Sequence, residues 1–462
     1  MGYLSRIIGP VAITAMVAPV TGQAANDIDA LRAEIAALKA EYAQRVTALE
    51  ARIEHLETSA TTAAAPAQVE PPPPTPAAPA RNSSAFNPAI SVILAGNYAD
   101  LAQDPADFNF AGFVPSGGEI GPGDRSFNLG ESEVTFAASV DPYFSAALTM
   151  ALSAEGEIGV EEAFARTTSL PAGFSVKGGR FFSGFGYLNE IHAHAWDFVD
   201  QPLVYQALYG GQYGQDGVQV KWLAPTDLFL EVGAETGNGG EFPGTRLGRN
   251  GLNGTTLFTH VGGDLGDSIG WRTGLSWMDL DAEDRTYEDA DSLGNPVVNS
   301  FTGSSATWIV DATLKWTPAS STRRQAFKLQ AEYMRRTEDG SLACDVAGAG
   351  LSDSYRSEQD GWYLQGVYQF NPRWRFGLRY DALDAGSTRI GLVQGGELLA
   401  SDFPLLLPAS PNRITTMIDF SPSEFSRLRA QYAWDDSRAA ETDRQLLLQY
   451  IYALGAHGAH KF

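Results

Sequence analysis

The chain has 462 residues, a formal net charge of −23 and one cysteine, Cys344. The acidic balance excludes nucleic acid as a partner, because phosphates demand Lys and Arg, and a lone cysteine can form neither an intramolecular disulfide nor a paired-cysteine metal site. Charged residues at 19%, aromatics at 11%, 48 Gly and 17 Tyr fit a large antiparallel barrel better than a soluble α/β enzyme, and a mean hydropathy of −0.16, with no apolar run of about 20 residues, excludes a helical membrane protein.

Residues 1–25 are expected to be a signal peptide. Arg6 supplies the basic start, Ile7 to Val20 the short apolar stretch, and Gly22-Gln23-Ala24-Ala25 the small residues for cleavage. Residues 26–58 are expected to form a coiled-coil helix. Its narrow seam runs Ile28, Leu31, Ile35, Leu38, Tyr42, Val46, Leu49, Ile53, Leu56, alternating threes and fours with a stutter at Tyr42. Such a seam suits self-association, and a homotrimer is the expected assembly. Residues 59–85 are an Ala/Thr/Pro-rich linker with Pro71 to Pro74 consecutive. That composition stays extended and buries no core.

From residue 86 to 462 the hydrophobic period becomes two. Trp308, Val310, Ala312, Leu314 and Trp316 alternate with Asp311, Thr313 and Lys315. Trp374, Phe376, Leu378 and Tyr380 alternate with Arg375, Gly377, Arg379 and Asp381. One face is apolar, the other polar or small, and the aromatics stand at the segment ends. This is the signature of an outer-membrane β-barrel. Short connections (Asp141-Pro142-Tyr143, Asn371-Pro372-Arg373 and others) alternate with long ones at residues 101–124, 184–214, 237–253, 282–302, 337–359 and 385–410. The fold expected is therefore all-β, an antiparallel transmembrane barrel of about sixteen strands with short turns in the periplasm. Cys344 falls in a Gly- and Ser-rich stretch expected to be a loop. The acidic run Asp279, Asp281, Glu283, Asp284, Glu288, Asp289 and Asp291 is expected on a solvated outer loop, where divalent cations could bridge it to lipopolysaccharide.

A sixteen-stranded barrel leaves a water-filled lumen, so passage of small solutes is the expected function. The connection 184–214 follows the fifth strand and is dense in Phe, Tyr, Trp and Leu. A segment so apolar is expected to fold into the lumen and narrow it. Its polar residues Glu190, His192, His194, Asp197 and Asp200, with Trp196, are the candidate constriction. In an extended chain His192 and His194 point the same way, and imidazole with carboxylate suits zinc and related ions. The opposing reading is loop packing, with the histidines hydrogen-bonded to carboxylates. His457 and His460, three apart, fall on opposite faces of a strand and are not expected to share a metal. Arg375, Arg379, Arg413, Arg427 and Arg429 line the lumen face of the last strands. A basic wall opposite an acidic loop would make a transverse field. The competing reading is a set of salt bridges that stiffen the barrel. No GxSxG motif and no assignable Ser-His-Asp set is present, so an enzyme is not expected.

A signal peptide, coiled coil and barrel in this order resemble the phosphate-selective porin superfamily and related siderophore porins. The stretch Gly179-Arg180-Phe181-Phe182-Ser183-Gly184-Phe185-Gly186-Tyr187-Leu188-Asn189-Glu190, continuing through His192-Ala193-His194-Ala195-Trp196-Asp197-Phe198-Val199-Asp200, resembles proteins described as zinc-regulated outer-membrane receptors, as does the ending Gly455-Ala456-His457-Gly458-Ala459-His460-Lys461-Phe462. Some of those are described as TonB-dependent. The resemblance implies outer-membrane uptake, with zinc as a transient cargo and no required cofactor. The terminal Phe462, after Tyr450, Tyr452 and Leu454, resembles the barrel-assembly signal of outer-membrane proteins. The alternative function is a structural anchor whose coiled coil tethers periplasmic partners.

Overall fold

A computed structural model describes residues 88–117, 120–154, 156–245, 250–318, 324–439 and 441–455. The expected signal peptide, coiled coil and linker, and the His457, His460 and Phe462 ending, lie outside the described residues.

The alternating sequence folds into one antiparallel sheet closed on itself. Its strands are β1 (Ala89–Leu101), β2 (Ser126–Leu129), β3 (Ser132–Ser139), β4 (Phe144–Leu152), β5 (Ile158–Thr167), β6 (Phe174–Phe182), β7 (Gly214–Leu223), β8 (Phe229–Gly237) and β9 (Gly254–Leu265). They continue as β10 (Ile269–Ala290), β11 (Pro296–Trp316), β12 (Ala326–Cys344), β13 (Leu351–Asn371), β14 (Trp374–Ile390), β15 (Asn412–Ser423), β16 (Ser426–Asp436) and β17 (Asp443–Gly455). From β3 onward each pairs with the next, and β1 closes the ring on β17. β2 and β3 both pair with the same edge of β1, Gly96 with Leu129 and Ile93 with Glu133. They are two halves of one stave, so the barrel has sixteen.

Burial is inverted relative to a water-soluble protein. On β11 Val310 is 47% exposed, while its neighbour Asp311 is 1% exposed. Leu275, Trp308, Leu364, Leu378, Ile418 and Leu448 are also exposed and face outward. An apolar surface this continuous is unstable against water and stable against hydrocarbon. Aromatic pairs mark its edges: Trp362 with Tyr380 (5.4 Å between ring centres) towards the long connections, and Trp374 with Phe420 (4.7 Å) beside the short turns.

Two expected outer loops are strand instead. Residues 282–302 and 337–359 are largely taken up by β10, β11, β12 and β13, which meet in tight turns. At about 3.3 Å per residue, the 22-residue β10 reaches roughly 70 Å, well past the apolar band. The acidic run from Asp279 to Asp289 lies on this strand, and Asp291 follows it in the turn. Leu280, Ala282 and Tyr287 alternate with the acids and point inward, so the segment is an amphipathic strand. Cys344 is likewise not on a loop. It ends β12 and is buried, within an apolar cluster that includes Phe301, Leu342, Tyr355, Leu392 and Phe403. The connection 391–411, which opens with the short helix Gly391–Gln394, contributes to that cluster and covers these extensions from inside.

Candidate functional site

The connection 183–213 follows β6, the fifth stave, and is folded against other elements along its whole length. Asn189 ties its two ends together. The amide nitrogen donates to the carbonyls of Ser183 and Tyr213 (2.8 and 2.9 Å), and the amide oxygen accepts from the Tyr213 N–H (2.8 Å). Glu235 on β8 accepts from the Gly184 N–H at 2.8 Å and from the Ser183 hydroxyl at 2.5 Å. Glu332 on β12 accepts four hydrogen bonds: from the N–H groups of Tyr187 and Leu188 (both 3.1 Å) and from the hydroxyls of Tyr205 (2.8 Å) and Tyr363 (2.6 Å). Gly186, at φ +63°, lets the chain pass this carboxylate: a Cβ there would lie 2.3 Å from the Glu332 Oε2.

The loop's helix α1 (Leu203–Tyr209) is buried at all seven positions. A seven-residue helix is not stable alone; packing makes it. Leu203, Tyr205 and Leu208 join Met278, Ile309 and Met334 of the wall in one apolar cluster. The loop after β1 lies on the helix: the Ser116 hydroxyl donates to the Gln206 carbonyl (2.7 Å), and the Gly121 N–H donates to the Gln206 amide oxygen (2.8 Å). Gly210 (φ +72°) ends the helix. Its N–H donates to the Gln206 carbonyl, and that of Gly211 to the Tyr205 carbonyl.

The five arginines of the last strands are in contact with this loop and its supports, not across a gap from it. Asp197 meets Arg375 at 2.8 Å and also pairs with Lys328. Asp200 meets Arg379 at 2.9 Å and Arg413 at 2.6 Å. Asp381 binds both arginines from the wall (2.9 and 3.4 Å), and its carboxylate accepts the Leu203 N–H (3.1 Å). Arg429 donates to the Trp196 carbonyl at 2.8 Å, and Arg427 to the carbonyls of His194 and Trp196 at 3.4 Å. The Trp196 indole donates to the Ile191 carbonyl at 2.6 Å. The basic residues therefore hold the loop by charge pairing. Burial opposes ionisation of Asp200, yet Arg413 and Arg379 hold its pKa at about 2.

The histidines face the other side of the barrel. His192 precedes a 3₁₀ turn, Ala193–Ala195, that contains His194. The segment is turned, not extended, and the two rings stack at 5.9 Å. The His192 Nδ1 lies 3.2 Å from carboxylate oxygens of both Glu133 on β3 and Glu161 on β5. Its Nε2 lies 3.1 Å from Glu162. The His194 Nδ1 lies 2.7 Å from the other Glu133 oxygen. Burial disfavours the charged His192 ring, but the three glutamates outweigh it and raise its pKa well above the ordinary value. Glu190 stands apart from this group, 3.5 Å from Lys177.

Glu161 and Glu162 are adjacent, and in a regular strand they would face opposite ways. A bulge removes that constraint. Thr149 pairs with Glu162 and Met150 with Val160, which leaves Glu161 as the extra residue. Sequence reasoning did not single out Glu161, Glu162, Glu235 or Glu332 as site residues. The one local signal was the Glu161-Glu162 pair, which breaks the alternation of β5.

No protein-family model matches the chain. A protein of Aquifex aeolicus (strain VF5), described as uncharacterized, is 32% identical over 356 residues, covering 73% of this chain and 70% of that one. This chain belongs to the same family as that protein. Among solved structures the chain is similar to OmpT, an outer membrane protein of Vibrio cholerae (TM-score 0.49, 10% identity, covering 80% of this chain and 99% of that one). It is also similar to the outer membrane channel DcaP of Acinetobacter baumannii (TM-score 0.46, 12% identity, 79% and 97%). A third similar structure is an anion-selective porin from Comamonas acidovorans (TM-score 0.46, 10% identity, 80% and 99%).

Proposed function

We propose that the protein is a channel for small solutes in the outer membrane of a Gram-negative bacterium, with metal ions or metal chelates as its cargo, working as a homotrimer. The observation that carries this reading is the asymmetric filling of the barrel. The loop 183–213 is pinned by ion pairs to the β14–β16 side, where Arg379 and Arg413 are completely covered. On the β3–β5 side Glu161, Glu162, His192 and His194 keep partial exposure, so water reaches a polar wall beside the loop. An apolar outer face around a polar interior is what a solute path through hydrocarbon requires. Imidazoles among carboxylates favour metal ions over sugars or anions. The narrow seam between Ile28 and Leu56 supports self-association.

The test is single-channel conductance of the refolded full chain in planar bilayers. Conductance in groups of three steps, larger for a chain in which residues 203–209 are replaced by a short Gly-Ser linker, is the expected result. The structural anchor is the second reading, favoured by the apolar cluster of Phe301, Leu392 and Phe403 under the connection 391–411. A bilayer that stays silent with both chains selects the anchor.

A further inference from the structure

Five side chains from three separate segments converge where the loop meets the β3–β5 wall: Glu133, Glu161, Glu162, His192 and His194. We propose that Glu133, Glu161 and the Nδ1 of His192 bind one divalent first-row transition-metal ion, with Glu162 and His194 as positioning residues. This deepens the channel reading by naming a cargo site, and its transport role rests on that reading.

The geometry fits such an ion in three respects. First, one ligand atom from each of the three residues lies within 4.8 Å of the others, and Nδ1 is 3.2 Å from an oxygen of both glutamates. Ligand atoms about 2.1 Å from a tetrahedral zinc stand roughly 3.4 Å apart, so little movement is required. Second, the outer partners are in place. A metal-bound imidazole commonly donates its other N–H to a carboxylate, and Glu162 lies 3.1 Å from the His192 Nε2. His194, 2.7 Å from the second oxygen of Glu133, fixes that carboxylate. Third, the bulge at Glu161 turns a second glutamate towards the ring. Pinning the loop would need one carboxylate per imidazole, whereas here there are three carboxylates for two.

The donor set selects among metals. Imidazole suits zinc, nickel, copper and ferrous ions, whereas calcium and magnesium prefer all-oxygen shells. Three protein ligands leave a fourth position open, as in sites that exchange a ligand. Partial exposure of His192, at 20% of its side chain, provides access.

The experiment is calorimetric titration of Zn²⁺ into the chelator-stripped, refolded full chain in detergent, with Ca²⁺ as comparison. The expected result is one Zn²⁺ per chain, bound far more tightly than Ca²⁺. Glu161→Gln should weaken it about 100-fold or more, and Glu162→Gln about 10–100-fold. His260→Gln, on β9, should change nothing. Heat-modifiable migration on gels checks that each variant forms the barrel. Absence of saturable Zn²⁺ binding, Ca²⁺ bound as tightly, or unchanged affinity in Glu161→Gln and His192→Gln overturns the site. Conductance without binding keeps the channel and removes the site, while binding without conductance keeps the site and removes the channel.

Discussion

Asp200 shows how a single side chain holds the loop. Its carboxylate faces Arg379 and Arg413, both covered, while Asp381 pairs with both and Asp435 lies 3.7 Å from Arg413. Removing one partner of a buried pair costs about 3–5 kcal/mol where a charge is stranded, and less here because two carboxylates remain for the two arginines. Asp200→Ala is therefore expected to release the loop, which is rich in Phe, Tyr, Trp and Leu, to chymotrypsin and to lower the urea midpoint of the folded barrel. The pKa of Asp200 is lowered from 3.8 to about 2, so its contribution is complete above pH 3.8 and is lost only as pH falls through about 2. His192 has the opposite sign. Its pKa is raised above 6.5, so its stabilisation is complete below pH 6.5 and fades as pH rises through the higher folded value. Protease protection of residues 190–196, measured with chelator present, should be flat in mild acid and decline in alkali. His192→Gln should remove that decline; a decline that persists in the variant assigns it to another group.

The loop is the element on which the proposed function turns, and its shape depends on one backbone position. Gly186 has a positive φ and sits against Glu332. Gly186→Ala would be strained by conformation and by contact, at about 1–3 kcal/mol. It would also disturb a carboxylate with four hydrogen bonds. The expected outcome is a barrel that still migrates as folded but has a protease-sensitive loop and a changed unit conductance. A conductance equal to that of the parent would mean that the loop does not set the bore. The aromatic density of residues 184–214 made a folded-in loop legible from sequence. Its attachment points were not legible, because Glu235 and Glu332 alternate along their strands like any lumen residue. They become special only when the loop arrives.

For the molecule as a whole, the decisive property is that apolar surface is outside and charge is inside. Val310→Lys places an ammonium on the hydrocarbon side of β11 and should lower the unfolding free energy in phospholipid by roughly 2–4 kcal/mol. Thr313→Lys, one pleat away on the inner face, should cost less. Equal losses would contradict the assignment of faces. Sixteen staves were countable from alternation and turn spacing because a strand's period is two regardless of its partners. The excess length of β10 to β13 was not, because acidic residues on a strand beyond the membrane have the composition of a loop. Only the inward positions Leu280, Ala282 and Tyr287, buried in apolar clusters that include Leu203 and Phe403 of the connections, show the difference.

What the sequence by itself determined is local: the alternating faces, the aromatic edges, the turn positions and the loop too apolar to stand in water. Each follows from the preference of a side chain for hydrocarbon or water at a known pitch. What only the tertiary structure decided is which distant residues meet. For the arginines the sequence left two readings, a field across the lumen and salt bridges that stiffen the barrel; the contacts present are salt bridges to the loop, since closing the ring brings β14–β16 next to a loop that begins after β6. His192 and His194 were paired from their spacing alone. Their carboxylate partners come from β3 and β5, through a bulge whose position depends on the register with β4 and that no single segment encodes.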